Sequence, residues 1–368
     1  MSFVPTRRVV QWGTGAVGLR SLQFVLASND LELVGVKCFT EAKEGKDAGH
    51  LASRPSTNIL ATADTDALLA LDADCVLFMP RDTFLDPTLP GSPSRPWVDE
   101  LVAILESGKN VVSPLQSAMH WRHLSAGAAL RDRLEAACQR GGASLFFTGL
   151  DPGFVSDCLA ITLSSAAGEI TQIRTTEVIN YATYAAPSVL ESMGFGLKVE
   201  QLSSAANDSL VPSWGCALWL VSDALGVELD DIVLATDAYP SPVDFTSPGG
   251  LHVAVGAVGA LQWSLTGMVG GQARIVSHHV SRMGDDMAPD WPRIGEKGGY
   301  RVEIDGTPPL RAELPLGLAG GTGTCLDDAI VMTAARCVNA INAVVEAPPG
   351  YHLLNAMRTI GGRHSLAR

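Results

Sequence analysis

Positive charge is scarce in this chain of 368 residues. It carries 26 Lys and Arg residues against 39 Asp and Glu residues, for a formal net charge of −13. A surface this acidic repels phosphate backbones and anionic lipid headgroups. The sequence therefore predicts neither a nucleic-acid-binding protein nor one that binds membrane surfaces.

Long apolar segments are also lacking. No uninterrupted apolar run reaches the roughly 18 residues that a membrane-spanning helix needs. In the nearest candidate, residues 252–271, polar residues alternate at Gln262, Ser264 and Thr266, which is typical of a strand. The first twelve residues contain Arg7 and Arg8 but no apolar core before a cleavage site, so we predict no signal peptide. We expect a cytoplasmic protein.

Paired cysteine motifs are absent as well. The seven cysteines are an odd number, lie far apart and form no CxxC pair, which favours free thiols over disulfides or zinc ligands. His278 and His279 are adjacent on a predicted strand, so their side chains point to opposite faces and cannot bind one ion together. No other spacing matches a zinc or di-iron site, and we expect no metal.

The first 150 residues alternate short apolar runs with helical patterns. Residues 74–79 read as a buried strand and Trp97–Ser107 as an amphipathic helix. Strands that alternate with helices predict an α/β fold, a doubly wound parallel sheet of the Rossmann type. After Asp151-Pro152-Gly153 the pattern changes to long strands joined by short turns such as Asp305-Gly306, with helices inserted. This predicts a second, α+β domain with a largely antiparallel or mixed open sheet.

The predicted domain boundaries follow from that change of pattern. We expect a dinucleotide-binding Rossmann domain at residues 1–152 and a second domain at 153–325. Residues 326–368 contain one long apolar helix, predicted for Asp327–Val345, which we expect to pack back on the first domain.

A glycine-rich motif follows the first predicted strand. Gly13, Gly15 and Gly18 form GxGxxG at the start of a helix, within a βαβ unit. The first glycine permits the tight turn, the second lets the backbone approach a pyrophosphate, and the third lets helix and strand pack closely. The helix N-terminus then offers free N–H groups to the phosphates. We predict that a dinucleotide is bound by Gly13, Thr14, Gly15, Ala16, Val17 and Gly18; the alternative is a glycine turn without a ligand.

The second predicted strand ends without an acid at its tip, where a site for NAD usually has one for the ribose hydroxyl. The hydroxyl of Thr40 and the cation of Lys43 suit a 2′-phosphate instead. Lys37 is a second candidate cation if the strand ends early, and Glu41 could serve the ribose if the loop bends. Lys43 is alternatively part of the solvated run 43–46. We expect NADP, with NAD also possible.

Several segments resemble a known family. They are VQWGTG at 10–15, LELVGV at 31–36, GKDAG at 45–49, GKNVVS at 108–113 and DPGF at 151–154, and residues 181–196 are also similar. On these segments the chain resembles 2,4-diaminopentanoate dehydrogenase and the related amine dehydrogenases, whose N-terminal domain is similar to that of dihydrodipicolinate reductase.

The resemblance implies a substrate domain, a homodimer formed through the second domain's sheet, and NAD(P)-dependent interconversion of amines and ketones. In that chemistry a ketone condenses with ammonia, and the iminium takes a hydride from the nicotinamide. Family members have a catalytic glutamate just after the strand that matches 109–113. Here Gln116 falls at or beside that position, and no acid follows until Asp132. A glutamine has a similar shape but cannot carry charge or transfer a proton readily.

The resemblance also places pocket tyrosines after the strand predicted to end at Ile179. Asn180, Tyr181 and Tyr184 stand there. Two tyrosines three residues apart could frame a small apolar substrate and donate hydrogen bonds. The alternative is that both rings are half-buried at an interface.

Asp151 and Phe147 follow or end the last predicted strand of the first domain. Because ligands bind at the carboxyl ends of such strands, Asp151 lies close to the substrate or, alternatively, caps a helix predicted at 154–165. Phe147 enters the pocket or packs in the core.

Together these features predict an NAD(P)H-dependent oxidoreductase acting on a small, apolar carbonyl or imine, with Gln116 and Tyr184 as catalytic residues. The predicted substrate-binding residues are Asn180, Tyr181, Phe147 and Asp151. Lys and Arg are absent from 113–121 and 175–196, which argues against a dicarboxylate substrate. The alternative function is a cofactor-binding sensor, a degenerate paralogue without turnover.

Overall fold

The computed structural model describes residues 5–80, 96–115, 127–185 and 187–362, and these form two compact units. The first unit contains the described residues up to 150 together with 330–362, and the second contains residues 151–329. Strands and helices are numbered along the whole chain.

The first unit is built on a parallel sheet of seven strands. They are β1 (Arg7–Trp12), β2 (Leu31–Lys37), β3 (Ala61–Thr62), β4 (Cys75–Phe78), β5 (Asn110–Ser113), β6 (Ser144–Phe147) and β15 (Gly350–His352). Their order in the sheet is β15-β6-β5-β4-β1-β2-β3, and every pairing is parallel. The helices of this unit are α1 (Ala16–Ala27), α2 (Ala48–Leu51), α3 (Thr65–Leu69), α4 (Pro96–Glu106) and α5 (Gly127–Gly141). The predicted doubly wound parallel sheet is confirmed.

The long helix α9 (Cys325–Val345) begins in the second unit and ends in the first. Its residues Cys337, Ile341 and Val344 are buried in the core formed around β1 and β2. Among the described residues, α9 is the one helix long and apolar enough to meet a length-and-composition criterion for a membrane span. Half of that apolar window is buried in the protein, as in the core helix of a globular domain.

The second unit is built on a mixed sheet of six strands, in the order β14-β13-β7-β12-β11-β8. The strands are β7 (Glu169–Asn180), β8 (Asp231–Pro240), β11 (Val258–Val269), β12 (Gln272–Arg282), β13 (Gly299–Thr307) and β14 (Leu310–Pro315). A short ladder joins β9 (Phe245–Thr246) and β10 (His252–Val253), and the helices are α6 (Ala160–Ser164), α7 (Pro187–Ser192) and α8 (Leu202–Leu225). β7 and β12 are parallel and the other pairs are antiparallel, which confirms the predicted mixed sheet.

Several boundaries differ from the sequence predictions. The helix predicted for 154–165 begins as a π-helical turn, Val155–Leu159, in which the Leu159 N–H donates to the Phe154 carbonyl five residues earlier. Asp305-Gly306 lies inside β13 rather than at a turn. β8 was not predicted because it is an edge strand exposed along most of its length, and edge strands carry little apolar alternation.

Candidate functional site

In the glycine-rich loop after β1, Gly15 is the glycine with open space beside it. Gly13 has φ +105°, and a Cβ there would lie 2.3 Å from the Met79 carbonyl oxygen, so only glycine fits. A Cβ on Gly18 would lie 2.2 Å from the Gly13 carbonyl oxygen, whereas nothing lies within 4 Å of a Cβ on Gly15. Gly13 and Gly18 therefore pack against backbone, and Gly15 faces open space.

The start of α1 adds the chemistry that a phosphate requires. Gly15 is the N-cap and supplies no side-chain acceptor, so the first-turn N–H groups of Ala16, Val17 and Gly18 are offered at a helix N-terminus. Thr14 is buried between the glycines. These residues fit the pyrophosphate of a dinucleotide, as the motif predicts.

The structure separates the two candidate cations for a 2′-phosphate. β2 ends at Lys37, but its ammonium group is buried, donates to the Thr65 hydroxyl at 2.7 Å and lies 3.9 Å from Glu100. The half-buried Lys43 donates instead to the Thr14 carbonyl at 2.5 Å, so its charge lies beside the glycine-rich loop. Thr40 is exposed at the start of the same 3₁₀ turn.

A group of ionisable side chains is buried in the second unit. Asp151, Glu177 and His279, hereafter the buried triad, are in direct contact. His279 Nε2 lies 3.3 Å from Asp151 Oδ2, and His279 Nδ1 lies 3.2 Å from Glu177 Oε1. The three side chains are between 3% and 6% exposed. The imidazole therefore lies between two carboxyl groups and out of water.

Strand register brings part of this group together. Glu177 on β7 is paired with His279 on β12 and with Tyr300 on β13. Residues paired across neighbouring strands point to the same face of a sheet. Tyr300 Oη donates to Glu177 Oε2 at 2.9 Å, and Tyr181 Oη donates to Glu177 Oε1 at 3.2 Å. Glu177 thus accepts hydrogen bonds from three ring-bearing side chains.

Two tryptophans enclose the imidazole. Trp263 stacks on His279 with ring centroids 3.9 Å apart and an interplanar angle of 13°. Trp214 of α8 contacts both rings at steep angles, with its centroid 5.4 Å from His279 and 5.1 Å from Trp263. The face of an indole ring attracts a cation, so this stacking favours the protonated imidazole.

The pKa values in the buried triad are pushed in different directions. Burial and the charge of Glu177 raise the pKa of Asp151 to about 6, although the neighbouring imidazolium opposes them. The pKa of Glu177 is lowered: burial opposes ionisation, but His279, Tyr300 and Tyr181 together outweigh it. The two carboxylates raise the pKa of His279 against the effect of burial. At neutral pH the triad is therefore an imidazolium between carboxylates, with Asp151 the acid closest to titration.

Close contact of two carboxylates and a histidine raises the question of a metal. Among the described residues, ligand atoms of the buried triad lie within 4.8 Å of one another. However, the two carboxylates contact opposite nitrogens of one imidazole ring, and a single ion cannot replace both contacts. We assign the group as an ion-paired triad and place no metal in it.

The structure places the substrate-binding residues predicted from sequence in different settings. Tyr181 contacts the buried triad and packs edge-on against Tyr184, with centroids 6.4 Å apart. Asn180 donates to Asp285 and accepts from the Ala182 N–H, so both ends of its amide stabilise the local turn. Gln116 lies outside the described residues.

Asp151 and Phe147 also had two possible roles each. The N-cap residue of the π-helical turn is Phe154, and the Gly153 and Cys158 N–H groups at this turn donate to Asp157. Phe147 is 5% exposed and packs edge-on against Tyr351, as a core residue does.

Sequence reasoning missed Glu177 and Tyr300 and gave His279 no specific role. A signal for Glu177 was present in the sequence. It is the one charged residue in the strand segment 175–179, whose other residues are threonine, valine and isoleucine. A charged residue on a buried strand position requires a partner. The partners stand about 100 residues further along the chain, which no local pattern reveals.

Comparison with known proteins identifies the family. The model of the 2,4-diaminopentanoate dehydrogenase C-terminal domain matches residues 154–364, more than half of the chain. An amine dehydrogenase of Streptomyces virginiae is 33% identical over 349 residues, covering 93% of this chain and 94% of the relative. The chain belongs to the family of 2,4-diaminopentanoate dehydrogenase and the amine dehydrogenases.

Other relatives agree with this assignment. The 2,4-diaminopentanoate dehydrogenase of Acetoanaerobium sticklandii is 24% identical over 358 residues, covering 94% of this chain and 92% of the relative. The solved structure of an amine dehydrogenase from Mycobacterium smegmatis has the same fold, with a TM-score of 0.77, 18% identity and 97% coverage of both chains. The resemblance inferred from sequence is thereby confirmed, and the chain is an NAD(P)-dependent oxidoreductase.

Proposed function

We propose that the protein transfers a hydride between NADP(H), its preferred cofactor, and a small, apolar carbonyl compound or imine. The observation that carries the proposal is the open space above Gly15, at a helix N-terminus and beside Lys43, in a chain one third identical to an amine dehydrogenase. When bound, the nicotinamide supplies or accepts the hydride.

The preference for NADP follows from charge and from a missing acid. Lys43 is the cation beside the loop, whereas the ammonium of Lys37 is committed to buried partners. The exposed hydroxyl of Thr40 stands three residues before Lys43 and can add a hydrogen bond to a 2′-phosphate. Glu41, the acid that could serve an unmodified ribose, is exposed on the same turn, which leaves NAD as the alternative cofactor.

On the substrate side we propose Tyr181, Tyr184 and Gln116 as the groups that orient the polar atom, with Asn180, Asp151 and Phe147 around them. The absence of Lys and Arg from 175–196 favours a substrate without a second carboxylate. Gln116 stands where the family resemblance implies a glutamate, and we propose that this position differs chemically from the family's. We also propose a homodimer and a cytoplasmic location.

The test measures NADPH consumption with a panel of small ketones and aldehydes, with and without ammonium. Consumption that requires ammonium supports reductive amination. Equal consumption without ammonium supports a carbonyl reductase, in which Gln116 marks a change of chemistry. Tight NADPH binding without consumption under any condition contradicts the proposal and supports the sensor.

The Gly15→Ala variant is the control for cofactor-dependent signal. Its added methyl group meets no protein atom, so loss of NADPH consumption in a folded variant places the cofactor above Gly15. A variant with unchanged NADPH binding would show that the cofactor does not use this space.

A further inference from the structure

The buried triad has the arrangement of an acid–base group rather than of a simple structural pair. Both nitrogens of His279 lie beside carboxyl groups, at 3.3 Å and 3.2 Å, and each nitrogen donates to its neighbour when the ring is doubly protonated. A doubly protonated imidazole is a cation, and its stacking on Trp263 at 3.9 Å stabilises that form. His279 is thus a fixed positive charge with an acid on each side.

The two acids have different surroundings. Glu177 accepts from Tyr300 and Tyr181 as well as from His279, and these donors stabilise its ionised form. Asp151 faces the same imidazolium but also the negative charges of Glu177 and Asp157, and its pKa is about 6. When the pKa values of two neighbouring carboxyl groups are shifted in opposite directions, one group stays ionised and the other exchanges a proton. Here Glu177 is the group that stays ionised, and Asp151 is the group that exchanges a proton.

Position in the chain also distinguishes Asp151. All three side chains are between 3% and 6% exposed, so burial does not separate them. Asp151 follows β6, which ends at Phe147, and the carboxyl ends of parallel strands are where ligands bind in such folds. Of the three residues, Asp151 is therefore the one that comes just after a strand of the parallel sheet.

We propose that the buried triad transfers the proton in the amine–carbonyl reaction: Asp151 gives and takes the proton, and His279 and Glu177 are positioning residues. This inference rests on the proposed function, because it assigns groups to the reaction stated there. It deepens that function by naming the acid that drives loss of water from the ammonia adduct.

In the aminating direction, ammonia has added to the carbonyl carbon to give a carbinolamine. The Asp151 carboxyl donates its proton to the hydroxyl oxygen, the C–O bond breaks, and water leaves. The nitrogen lone pair forms the C=N bond of the iminium. A nicotinamide, when bound, would supply the hydride that reduces the iminium carbon. Asp151, now ionised beside the imidazolium of His279, regains a proton from solvent, so one proton is consumed in addition to ammonia and NADPH.

Other titratable groups face the triad from each element packed against it. They are Asp157 of the π-helical turn, Cys216 of α8, Tyr181 and Tyr184 after β7, Tyr300 of β13 and Cys325 at the start of α9. The pKa values of Tyr181, Tyr300 and Cys216 lie well above their ordinary values and that of Cys325 is about 12, because burial and nearby carboxylates disfavour their charged forms. None of these four changes charge near pH 6, whereas the pKa of Asp151 is about 6.

The experiment compares Asp151→Asn with the wild type in ammonium-dependent NADPH oxidation across pH, and again with a preformed cyclic imine. We expect kcat with ketone and ammonium to fall about 100-fold or more, the range for loss of a general acid. The wild-type decline in kcat as pH rises above about 6 should vanish in the variant. With the preformed imine, which needs no loss of water, the deficit should be less than about 10-fold, because the general acid no longer has a C–O bond to break.

Two further variants separate positioning from folding. His279→Asn should lower kcat and shift the pH at which kcat begins to decline as pH rises. His278→Asn changes the neighbouring histidine on the opposite face and should leave both kcat and the pH profile unchanged. NADPH binding and the thermal melting temperature are measured for each variant. The inference is overturned if a folded Asp151→Asn enzyme keeps the wild-type kcat and pH profile. It is also overturned if Asp151→Asn lowers kcat by the same factor with the ketone and with the preformed imine. A wild type that consumes no NADPH overturns the proposed function itself.

Discussion

The two candidate sites of this molecule are assembled in opposite ways. The cofactor loop is contiguous: Gly13, Gly15 and Gly18 lie within six residues, and their spacing alone specifies a turn, a close approach and a helix start. The buried triad joins residues 151, 177 and 279, which come together only when β7 and β12 pair. A site made by local backbone geometry can be read from a motif, and a site made by strand register cannot.

From this difference we expect the structure of the cofactor loop to depend on the space around its backbone. We expect the stability of the buried triad to depend on the charges of its side chains. In the loop, exchanging glycine for alanine is a test of space with no change in polarity. In the triad, exchanging a carboxylate for its amide is a test of charge with almost no change in shape.

The largest effect is expected from Gly13→Ala. The new Cβ would lie 2.3 Å from the Met79 carbonyl oxygen at a backbone with φ +105°, so we expect a loss of about 3 kcal/mol or more in the free energy of unfolding. Gly15→Ala is the matched control, because its Cβ meets nothing within 4 Å. We expect it to keep wild-type stability in urea denaturation but to bind NADPH at least about tenfold more weakly, since a methyl group blocks the pyrophosphate. Equal stabilities of the two variants would contradict the assigned role of Gly13.

Glu177→Gln should have the next largest effect, about 3 kcal/mol, because it leaves a buried imidazolium with one carboxylate fewer. The pKa of Glu177 is lowered, so its contribution is present above the ordinary value of 4.5 and is lost as pH falls through the folded value. The pKa of His279 is raised, so its contribution is present below 6.5 and is lost as pH rises through the folded value. The variant's deficit in urea denaturation should therefore be greatest between these limits. A deficit independent of pH would show that shape, not charge, matters at Glu177.

A smaller effect is expected from Tyr300→Phe. It removes one donor, at 2.9 Å, from a carboxylate that keeps Tyr181 and His279 as partners. Hydrogen bonds to charged groups contribute about 1.5–3 kcal/mol, and the remaining partners should hold the loss in denaturation experiments to the low end. A loss as great as that from Glu177→Gln would mean that the tyrosine, rather than the ion pair, holds the triad together.

The smallest effect is expected from Lys43→Ala, which acts on binding and leaves stability within about 0.5 kcal/mol of the wild type. Removing the cation beside the Thr14 carbonyl should raise the Kd for NADPH about tenfold and change that for NADH about twofold or less. Fluorescence titration with each cofactor measures both constants. An equal loss for the two cofactors would assign Lys43 to the loop's structure rather than to a 2′-phosphate.

The sequence predicted most of the first unit because its signals are local. Continuous apolar runs such as Cys75–Phe78 and glycines at fixed spacing need no distant partner to be recognised. The second unit was predicted only as a class of sheet. Its edge strand β8 is too exposed to show a hydrophobic period. Helix α8 runs from Leu202 to Leu225 across Pro212, a residue type that usually ends or kinks a helix.

The candidate site shows the same limit. Asp151 and Tyr181 were predicted from their places after strands, but Glu177 and Tyr300 required the pairing of β7 with β13. That pairing joins residues 123 positions apart.

The buried triad depends most directly on His279 being a cation between two carboxylates. The direct measurement is the protonation state of its ring by nitrogen NMR in the folded protein, with the signal assigned by its absence from His279→Asn. We expect both ring nitrogens to be protonated at pH 6.5, where an ordinary imidazole is half neutral, and the imidazole to become neutral at lower pH in Glu177→Gln than in the wild type. A ring that is mostly neutral at pH 6.5 in the wild-type protein would contradict the buried triad as described.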